Sequence, residues 1–281
     1  MERLTNRQKV FLCLADELSK DGKSSRFMIE KGLFLLRTEE CMDKFIKFYN
    51  FFPYRYGPFS NISFLDMNRL LSQNLLEGDK KLAITPLGKK ALNNLDPKIA
   101  NLVIKTAHRF GSESQIKEYV YEKYPWYTIK SETPKMEAKK ATPGILTIGY
   151  EGRDIDEFLN TLLKEGVEVL IDVRYNPFSM KFSFTKNKLK SYLENVGIEY
   201  VHMPELGIRG EKRKSLSTGE DYSMLFNEYK NTTIRERKQD IEKLEELGKH
   251  KRIVLMCFEH SKDMCHRGII SGAIAAEVTH V

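Results

Sequence analysis

The C-terminal part of the chain carries reactive and ionisable side chains at close spacing. An apolar run at residues 253–256 predicts a buried strand, and a short polar loop separates it from a predicted helix that begins at residue 265. The polar residues around this loop are Cys257, Glu259, Cys265, His266 and Arg267. In an open α/β sheet, ligands bind beyond the carboxyl ends of the strands, and a helix N-terminus favours an anion or a thiolate. The segment therefore predicts a reaction or binding site.

Length, charge and cysteine content narrow the class of protein. The 281 residues favour two domains, and a hydrophobic content of 41% is sufficient for folded cores. The net charge of +7 favours a polyanionic partner, although many soluble proteins are basic. The four cysteines are scattered without a C-x-x-C pair, which argues against a disulfide scaffold or a zinc ribbon. No apolar stretch approaches the roughly 20 residues that cross a bilayer, so we expect a cytoplasmic protein without a membrane partner.

A charged segment divides the chain into two parts. Residues 128–144 contain two prolines, and from residue 130 onward they include no aromatic or β-branched aliphatic side chain. Such a segment cannot bury enough apolar surface to offset the entropy that is lost on ordering. We therefore predict a linker at 128–144, between a helical domain at 1–127 and an α/β domain at 145–281.

The N-terminal domain has the order of elements of a winged helix. Amphipathic helical patterns precede a predicted helix at 63–76, and the wing-like sequence Leu-Ala-Ile-Thr-Pro-Leu-Gly follows at 82–88. In such domains the helix before the wing usually enters the major groove of DNA. The candidate nucleic-acid-binding residues of this domain are Arg69, Gln73, Lys80 and Lys81. The alternative is a module for protein interaction or dimerisation.

The C-terminal domain alternates strand and helix patterns. Strands are predicted at 145–150, 167–174, 198–203 and 252–258. Helices separate them, and a last helix is predicted at 265–278. This alternation predicts a parallel, Rossmann-like sheet with flanking helices and right-handed crossovers. A long polar insertion at 207–230 carries Arg213 among other basic residues, and it could be a lid, an arm that contacts a nucleic-acid backbone, or a solvated charge run.

Polar residues follow each of the predicted strands. Because the carboxyl ends of parallel strands lie on one edge of a sheet, we expect these residues to converge. They are Tyr150, Glu151 and Arg153 after the first strand, Asp172 and Arg174 at the second, Glu205 after the third, and the residues named above after the fourth.

Three motifs in this half resemble a known family. They are Thr-Ile-Gly-Tyr-Glu-Gly-Arg at 147–153, Asp-Val-Arg-x-x-Pro-x-Ser at 172–179, and Cys-Phe-Glu at 257–259 with Cys-His-Arg at 265–267. Together they are similar to the bacterial and archaeal family catalogued as domain of unknown function 488, over residues 145–276. The resemblance implies an α/β domain with a polar site. Family members with an additional helical N-terminal domain fit residues 1–127.

Carboxylates and a histidine are the candidate catalytic groups. Crowding of Glu151, Asp172 and Glu259 would raise the pKa of at least one carboxyl and provide a general acid or base. His266 is a further candidate for this role. The same carboxylates could instead hold Mg²⁺. The simpler interpretations are that Asp172 pairs with Arg174 and that Glu259 caps a loop.

The other polar residues are candidates for substrate binding. Arginine provides planar, bidentate donors for phosphate or carboxylate. Tyr150, Tyr175 and Phe178 could stack on a base, or they could simply pack at the strand ends. The candidate substrate-binding residues are Tyr150, Arg153, Arg174, Ser179, Glu205, Cys265 and Arg267. The alternative for the arginines is that they neutralise the neighbouring carboxylates.

The cysteines could be nucleophiles or metal ligands. Cys265 begins a predicted helix beside His266, which would depress the pKa of an exposed thiol. Neither cysteine has the C-x-x-x-x-x-R spacing of a phosphatase loop, and Cys257 is better explained as a small buried side chain. A metal could be ligated by Cys257, His260, Cys265 and His266, but the spacing of these four residues matches no common zinc pattern. We predict no bound metal and no cofactor, with Mg²⁺ as the alternative.

These observations favour a hydrolase that acts on a nucleotide or a nucleic acid and is targeted to DNA by its N-terminal domain, as in DNA repair. Paired carboxylates could cleave an N-glycosidic bond, and carboxylates with Mg²⁺ could cleave a phosphodiester. The first route is slightly favoured because no metal-ligand signature is present. The alternative is a non-enzymatic, DNA-binding regulator whose α/β domain senses a small anionic ligand.

Overall fold

The chain forms two compact units. The computed structural model describes residues 4–92, 94–138, 141–213 and 218–281. The boundary between the units lies between Glu137 and Ala138, inside the segment 128–144. Each unit buries its own cluster of apolar side chains.

The N-terminal unit is mainly helical, as predicted. Its helices are α1 (Asn6–Lys20), α2 (Arg26–Thr38), α3 (Asn61–Ser72), α4 (Pro86–Ala91), α5 (Pro97–Ala107) and α6 (Glu113–Lys123). Two antiparallel hairpins accompany them, β1 (Phe52–Tyr54) with β2 (Gly57–Phe59) and β3 (Leu76–Glu77) with β4 (Ala83–Ile84). Side-chain caps begin several of the helices; Ser60, for example, accepts a hydrogen bond from the backbone N–H of Ser63 at 3.1 Å.

The hairpin β3–β4 follows α3, in the order that the sequence predicted for a wing. Helix α3 ends at Ser72, earlier than the predicted residue 76, because Asn74 adopts a left-handed conformation with φ of 54° and turns the chain into β3. Of the candidate nucleic-acid-binding residues, Arg69, Lys80 and Lys81 are exposed and Gln73 caps the end of α3. The side chain of Arg213 lies outside the described part of the structure.

The C-terminal unit is an α/β domain with a five-stranded parallel sheet. The strands are β5 (Gly144–Gly149), β6 (Val169–Asp172), β7 (Glu199–His202), β8 (Arg252–Cys257) and β9 (Val278–His280). Their order across the sheet is β7-β6-β8-β5-β9. The helices are α7 (Ile155–Lys164), α8 (Lys186–Asn195), α9 (Gly219–Tyr229), α10 (Lys238–His250) and α11 (His266–Ala273). The predicted parallel sheet with flanking helices is therefore confirmed.

Two elements of this unit differ from the prediction. The last helix ends at Ala273, and the chain continues into β9, which pairs in parallel with β5. This strand has only three residues, which is too short for a periodic pattern. The insertion at 207–230 contains α9, which begins at a Thr218 cap and buries Leu225 and Tyr229. Two buried side chains at i and i+4 are a weak helical signal within a polar sequence.

The order of the strands positions the candidate site. Because β8 lies between β5 and β6, the carboxyl ends of these three strands are neighbours. Gly149 is paired with Cys257, and Asp172 is paired with Met256. Within the described ranges, no helix is both long enough and apolar enough to cross a membrane.

Candidate active site

A cleft of about 530 Å³ opens at the carboxyl edge of the sheet. The described residues that line it are Tyr150, Arg174, Tyr175, Asn176, Phe178, Ser179, Met180, Lys181, Ile208, Gly210, Cys257, Phe258 and His266. The segments that leave β5, β6 and β8 supply most of this lining. Of the candidate residues, Tyr150, Arg174, Ser179 and His266 therefore meet in one cleft.

Asp172 and Arg174 form a buried ion pair at the end of β6. The Oδ1 and Oδ2 atoms of Asp172 accept hydrogen bonds from Nε and Nη2 of Arg174 at 2.8 and 2.6 Å. The hydroxyl of Tyr200 on β7 donates to Oδ2 at 2.7 Å. Arg174 Nη1 donates to the Tyr150 hydroxyl and to the Phe184 carbonyl oxygen, both at 3.0 Å. Because Asp172 is 0% exposed, this geometry favours a positioning role for it rather than contact with a substrate.

This ion pair affects the pKa values of Arg174 and Tyr200. Burial acts to lower the pKa of Arg174, but the hydrogen bonds to Asp172 and its negative charge outweigh burial and raise the pKa. The pKa of Tyr200 is raised well above its ordinary value, because burial and the charge of Asp172 both disfavour the phenolate. Arg174 is therefore a permanent positive charge in the lining of the cleft.

Cys257 and His266 line the cleft, and together with the adjacent Cys265 they form a group that we call the thiol–imidazole cluster. Each of the three residues is 1% exposed. The Nδ1 atom of His266 lies 3.7 Å from the Sγ of Cys257 and 3.8 Å from the Sγ of Cys265. Its Nε2 atom lies 2.9 Å from the carbonyl oxygen of Val173, which can only accept a hydrogen bond. In the neutral ring Nε2 therefore carries the proton, and Nδ1 presents its lone pair towards the sulfur atoms.

The environment of Cys265 does not match the one expected for a nucleophile. The depressed pKa expected from the sequence required an exposed thiol at the helix start. Burial instead raises the pKa of the Cys265 thiol well above its ordinary value, and the neighbouring Cys257 raises it further. In the absence of a positive charge on the cluster, Cys265 is a protonated thiol.

The loop between β8 and α11 is held against the end of β5. Arg267, which is 2% exposed, donates hydrogen bonds to the carbonyl oxygens of Glu259 and His260. A carboxylate oxygen of Glu151 accepts from the backbone N–H of His260 at 2.9 Å. Gly149 allows this close approach, because a Cβ atom there would lie 1.9 Å from the Glu259 carbonyl oxygen. Arg267 and Glu151 thus shape the loop and are not among the residues that line the cleft.

The remaining candidates lie around the cleft. Glu259 accepts a hydrogen bond from the thiol of Cys257 at 3.2 Å. Arg153 donates to the hydroxyl of Thr161 in α7 at 3.0 Å. Glu205 lines a neighbouring cleft of about 180 Å³. Among the described residues that line the larger cleft, none is Asp or Glu. The predicted group of converging carboxylates is therefore dispersed over the loop region, the buried ion pair and the neighbouring cleft.

Aromatic side chains surround the opening of the cleft. Tyr175, Phe178 and Phe258 are 43%, 67% and 41% exposed, and we call them the mouth aromatics. Basic groups lie beside them. The Lys181 ammonium group donates to the carbonyl oxygens of Tyr150 and Arg153, and the Arg209 guanidinium lies 5.5 Å from the centre of the Tyr175 ring. The opening therefore combines exposed rings with positive charge.

Three residues of this region, Tyr200, Phe258 and Lys181, are not among the candidates that the sequence indicated. Tyr200 belongs to a strand, and its proximity to Asp172 depends on the pairing of β6 with β7. Phe258 follows Cys257 directly and could have been noted as an aromatic residue next to a predicted strand end. No sequence signal distinguishes Lys181 from the other lysines.

Taken together, the fold and the cleft define an α/β domain with a candidate site at the carboxyl edge of its sheet. Residues 154–274 match the family described as "Domain of unknown function DUF488". The match lies within the C-terminal unit and agrees with the resemblance that its motifs indicated. Comparisons with curated proteins and with solved structures gave no match.

Proposed function

We propose that this protein is a hydrolase that acts on a nucleotide or a nucleic acid, and that the substrate binds in the cleft of the C-terminal unit. The mouth aromatics are the observation that carries this proposal. Large apolar rings are usually buried, yet these three remain in contact with water around a concave site. Every base has a π-face, so exposed rings at a cleft are suited to stack on one.

The charges around the cleft support an anionic substrate. Arg174 contributes a permanent positive charge to the lining, and Lys181 and Arg209 add positive charge near the opening. Planar guanidinium groups match the geometry of phosphate oxygens. A nucleotide would combine the two features, with its base against the rings and its phosphate towards the basic groups.

The residues that line the cleft also indicate which side chains could take part in the reaction. Because no described lining residue is a carboxylate, the geometry does not favour the two-carboxylate route to N-glycosidic cleavage over phosphodiester cleavage. Cys257 and His266 both line the cleft, and they bring a thiol within 3.7 Å of an imidazole nitrogen. We therefore place the scissile bond next to the thiol–imidazole cluster, where a water molecule would attack it.

The N-terminal unit would deliver this activity to DNA. Arg69 on α3 and Lys80 and Lys81 in the hairpin segment are exposed, so they are available to phosphates. This part of the proposal is independent of the cleft.

Two matched variants test the role of the mouth aromatics. Phe178 and Phe182 are both 67% exposed and lie four residues apart, but only Phe178 is among the residues that line the cleft. Phe178→Ala should weaken the binding of nucleotides or short oligonucleotides by about 1–3 kcal/mol, or roughly 5- to 150-fold in Kd. Phe182→Ala should leave Kd unchanged. Fluorescence anisotropy with the full chain measures both.

Product formation separates the hydrolase from the regulator. The full chain is incubated with nucleotides and with single- and double-stranded oligonucleotides, with and without divalent metals, and the products are identified by mass spectrometry. A product that depends on the protein supports the hydrolase. Tight binding of a nucleotide without any product supports the ligand-sensing regulator instead. If no binding is detected, the proposal for the cleft is wrong.

A further inference from the structure

The thiol–imidazole cluster has the composition of a metal site. We propose that Cys257, Cys265 and His266 bind a zinc ion. The three ligand atoms lie within 4.8 Å of one another, and all three residues are buried. Thiolate sulfur and imidazole nitrogen are ligands that Zn²⁺ prefers, and two cysteines with one histidine form a known type of zinc site.

The distances agree with tetrahedral coordination. A Zn–S bond of about 2.3 Å and a Zn–N bond of about 2.05 Å at the tetrahedral angle place sulfur and nitrogen about 3.6 Å apart. In the structure, His266 Nδ1 lies 3.7 Å from Cys257 Sγ and 3.8 Å from Cys265 Sγ. Both nitrogen–sulfur distances are therefore within about 0.2 Å of the tetrahedral value.

The orientation of the histidine also suits a metal ligand. A histidine that ligates a metal usually donates its other ring N–H to a carboxylate or a backbone carbonyl, which fixes the tautomer and the ring plane. Nε2 of His266 makes this contact with the carbonyl oxygen of Val173 at 2.9 Å. The same contact directs Nδ1 towards the two sulfur atoms, which is the arrangement that zinc requires.

Two elements and a clamped loop bring the ligands together. Cys257 ends β8, Cys265 is the residue before α11, and His266 is the first residue of that helix. Arg267 holds the intervening loop through the carbonyl oxygens of Glu259 and His260. The long spacing between the cysteines is therefore compatible with a compact ligand set, although it does not resemble the short spacing of zinc ribbons.

One side of the site would face the cleft. Cys257 and His266 line the cleft, and three protein ligands with an open fourth position are typical of catalytic zinc. A zinc-bound water could pass one proton to the Glu259 carboxylate, which lies 3.2 Å from the Cys257 sulfur. The resulting hydroxide would attack the scissile bond, and the leaving group would take the proton from Glu259. This hydrolytic step rests on the proposed function, whereas zinc binding does not.

Metal analysis of the full chain tests the site directly. The tag-free protein is purified without chelator and with a reducing agent, and zinc is measured by mass spectrometry. We expect about one zinc per chain in the wild type and less than about 0.1 in Cys265→Ser. Cys41→Ser should retain the metal, since Cys41 belongs to the N-terminal unit. Zinc retained in full by Cys265→Ser would overturn the proposal.

Cobalt substitution keeps the test decisive if the variant does not fold. Wild-type protein is stripped with a chelator, shown to be folded by circular dichroism, and reloaded with Co²⁺. We expect thiolate-to-cobalt charge-transfer absorption and the intense visible bands of a tetrahedral site. A folded protein that binds neither zinc nor cobalt in this way contradicts the proposal. Zinc at full stoichiometry without any hydrolysis would support the site and count against the proposed reaction only.

Discussion

The carboxylate of Asp172 accepts hydrogen bonds from Arg174 and Tyr200 and has no contact with solvent. A buried charge of this kind is tolerated because its partner is equally buried and its oxygens are satisfied. The pair therefore orients Arg174, and through it the hydroxyl of Tyr150, in the lining of the cleft. Arg174 is therefore the member of the ion pair that can contact a substrate.

Asp172→Asn should be strongly destabilising. The substitution leaves the buried guanidinium of Arg174 without a negative partner, and breaking one side of a buried ion pair typically costs about 3–5 kcal/mol. Tyr200→Phe removes only one hydrogen bond and should cost about 1–2 kcal/mol. Urea unfolding of both variants measures the two costs. If Asp172→Asn were as stable as the wild type and yet inactive, Asp172 would act on the substrate instead of positioning Arg174.

Gly149 permits the contact between β5 and the loop that carries Glu259. A Cβ atom at this position would lie 1.9 Å from a backbone oxygen, so Gly149→Ala must displace the loop. We expect a loss of about 1–3 kcal/mol in the free energy of unfolding, together with weaker ligand binding in the cleft. Gly144→Ala in the same strand is the control, because its Cβ would meet its nearest neighbour at 3.7 Å. Equal stability of the two variants would show that the close contact is unimportant.

At the scale of elements, Glu39 links the end of α2 to α6. Its carboxylate accepts hydrogen bonds from Tyr119 and Tyr124 at 2.8 and 2.9 Å, and it pairs with Arg109 and Lys123. Burial alone would raise the pKa of Glu39, but these four donors lower it to about 2. The ionised carboxylate therefore stabilises the folded N-terminal unit.

The stability supplied by Glu39 should depend on pH. Because its folded pKa of about 2 lies below the ordinary value of 4.5, the contribution is complete above pH 4.5 and is lost as the pH falls towards 2. Glu39→Gln should cost about 1–2 kcal/mol at pH 7, with solvent screening taken into account. This difference should shrink below about pH 4.5.

Denaturant unfolding at several pH values measures the effect. Glu40→Gln is the control, since Glu40 makes an ion pair with the exposed Lys105 and should contribute only about 0–1 kcal/mol. A loss for Glu39→Gln that is independent of pH would contradict the electrostatic explanation.

At the scale of the whole molecule, DNA binding is predicted to depend on α3 and the hairpin of the N-terminal unit. Replacement of Arg69, Lys80 and Lys81 by Ala should weaken the binding of duplex DNA by the full chain. It should also reduce the slope of log Kobs against log salt by about 0.9 for each phosphate contact that is lost.

A second triple variant controls for net charge. Lys44, Lys47 and Lys98 are exposed elsewhere in the same unit, and their replacement by Ala removes the same number of charges. This variant should retain most of the affinity and the salt slope. If both triple variants lose affinity equally, binding follows net charge and the winged-helix interpretation fails.

The sequence determined the parts of this protein that depend on local patterns. Alternating strand and helix periodicities predicted the parallel sheet, because burial imposes these periods on neighbouring residues. The same patterns locate the ends of the strands, and therefore the polar residues that follow them, such as Arg174 and His266. The three-residue β9 and the polar helix α9 were missed, since their patterns are too short or too weak.

Only the tertiary structure decided which of these side chains meet. The placement of β8 between β5 and β6 is a long-range choice that no local period encodes. It brings His266 within 2.9 Å of the Val173 carbonyl oxygen after β6, and it leaves Glu151 outside the lining of the cleft. Asp172 is similarly a buried partner of Arg174, because the burial and pairing of a side chain depend on which elements pack against it. The sequence therefore predicted the edge of the sheet that carries the site, and the packing assigned the chemistry within it.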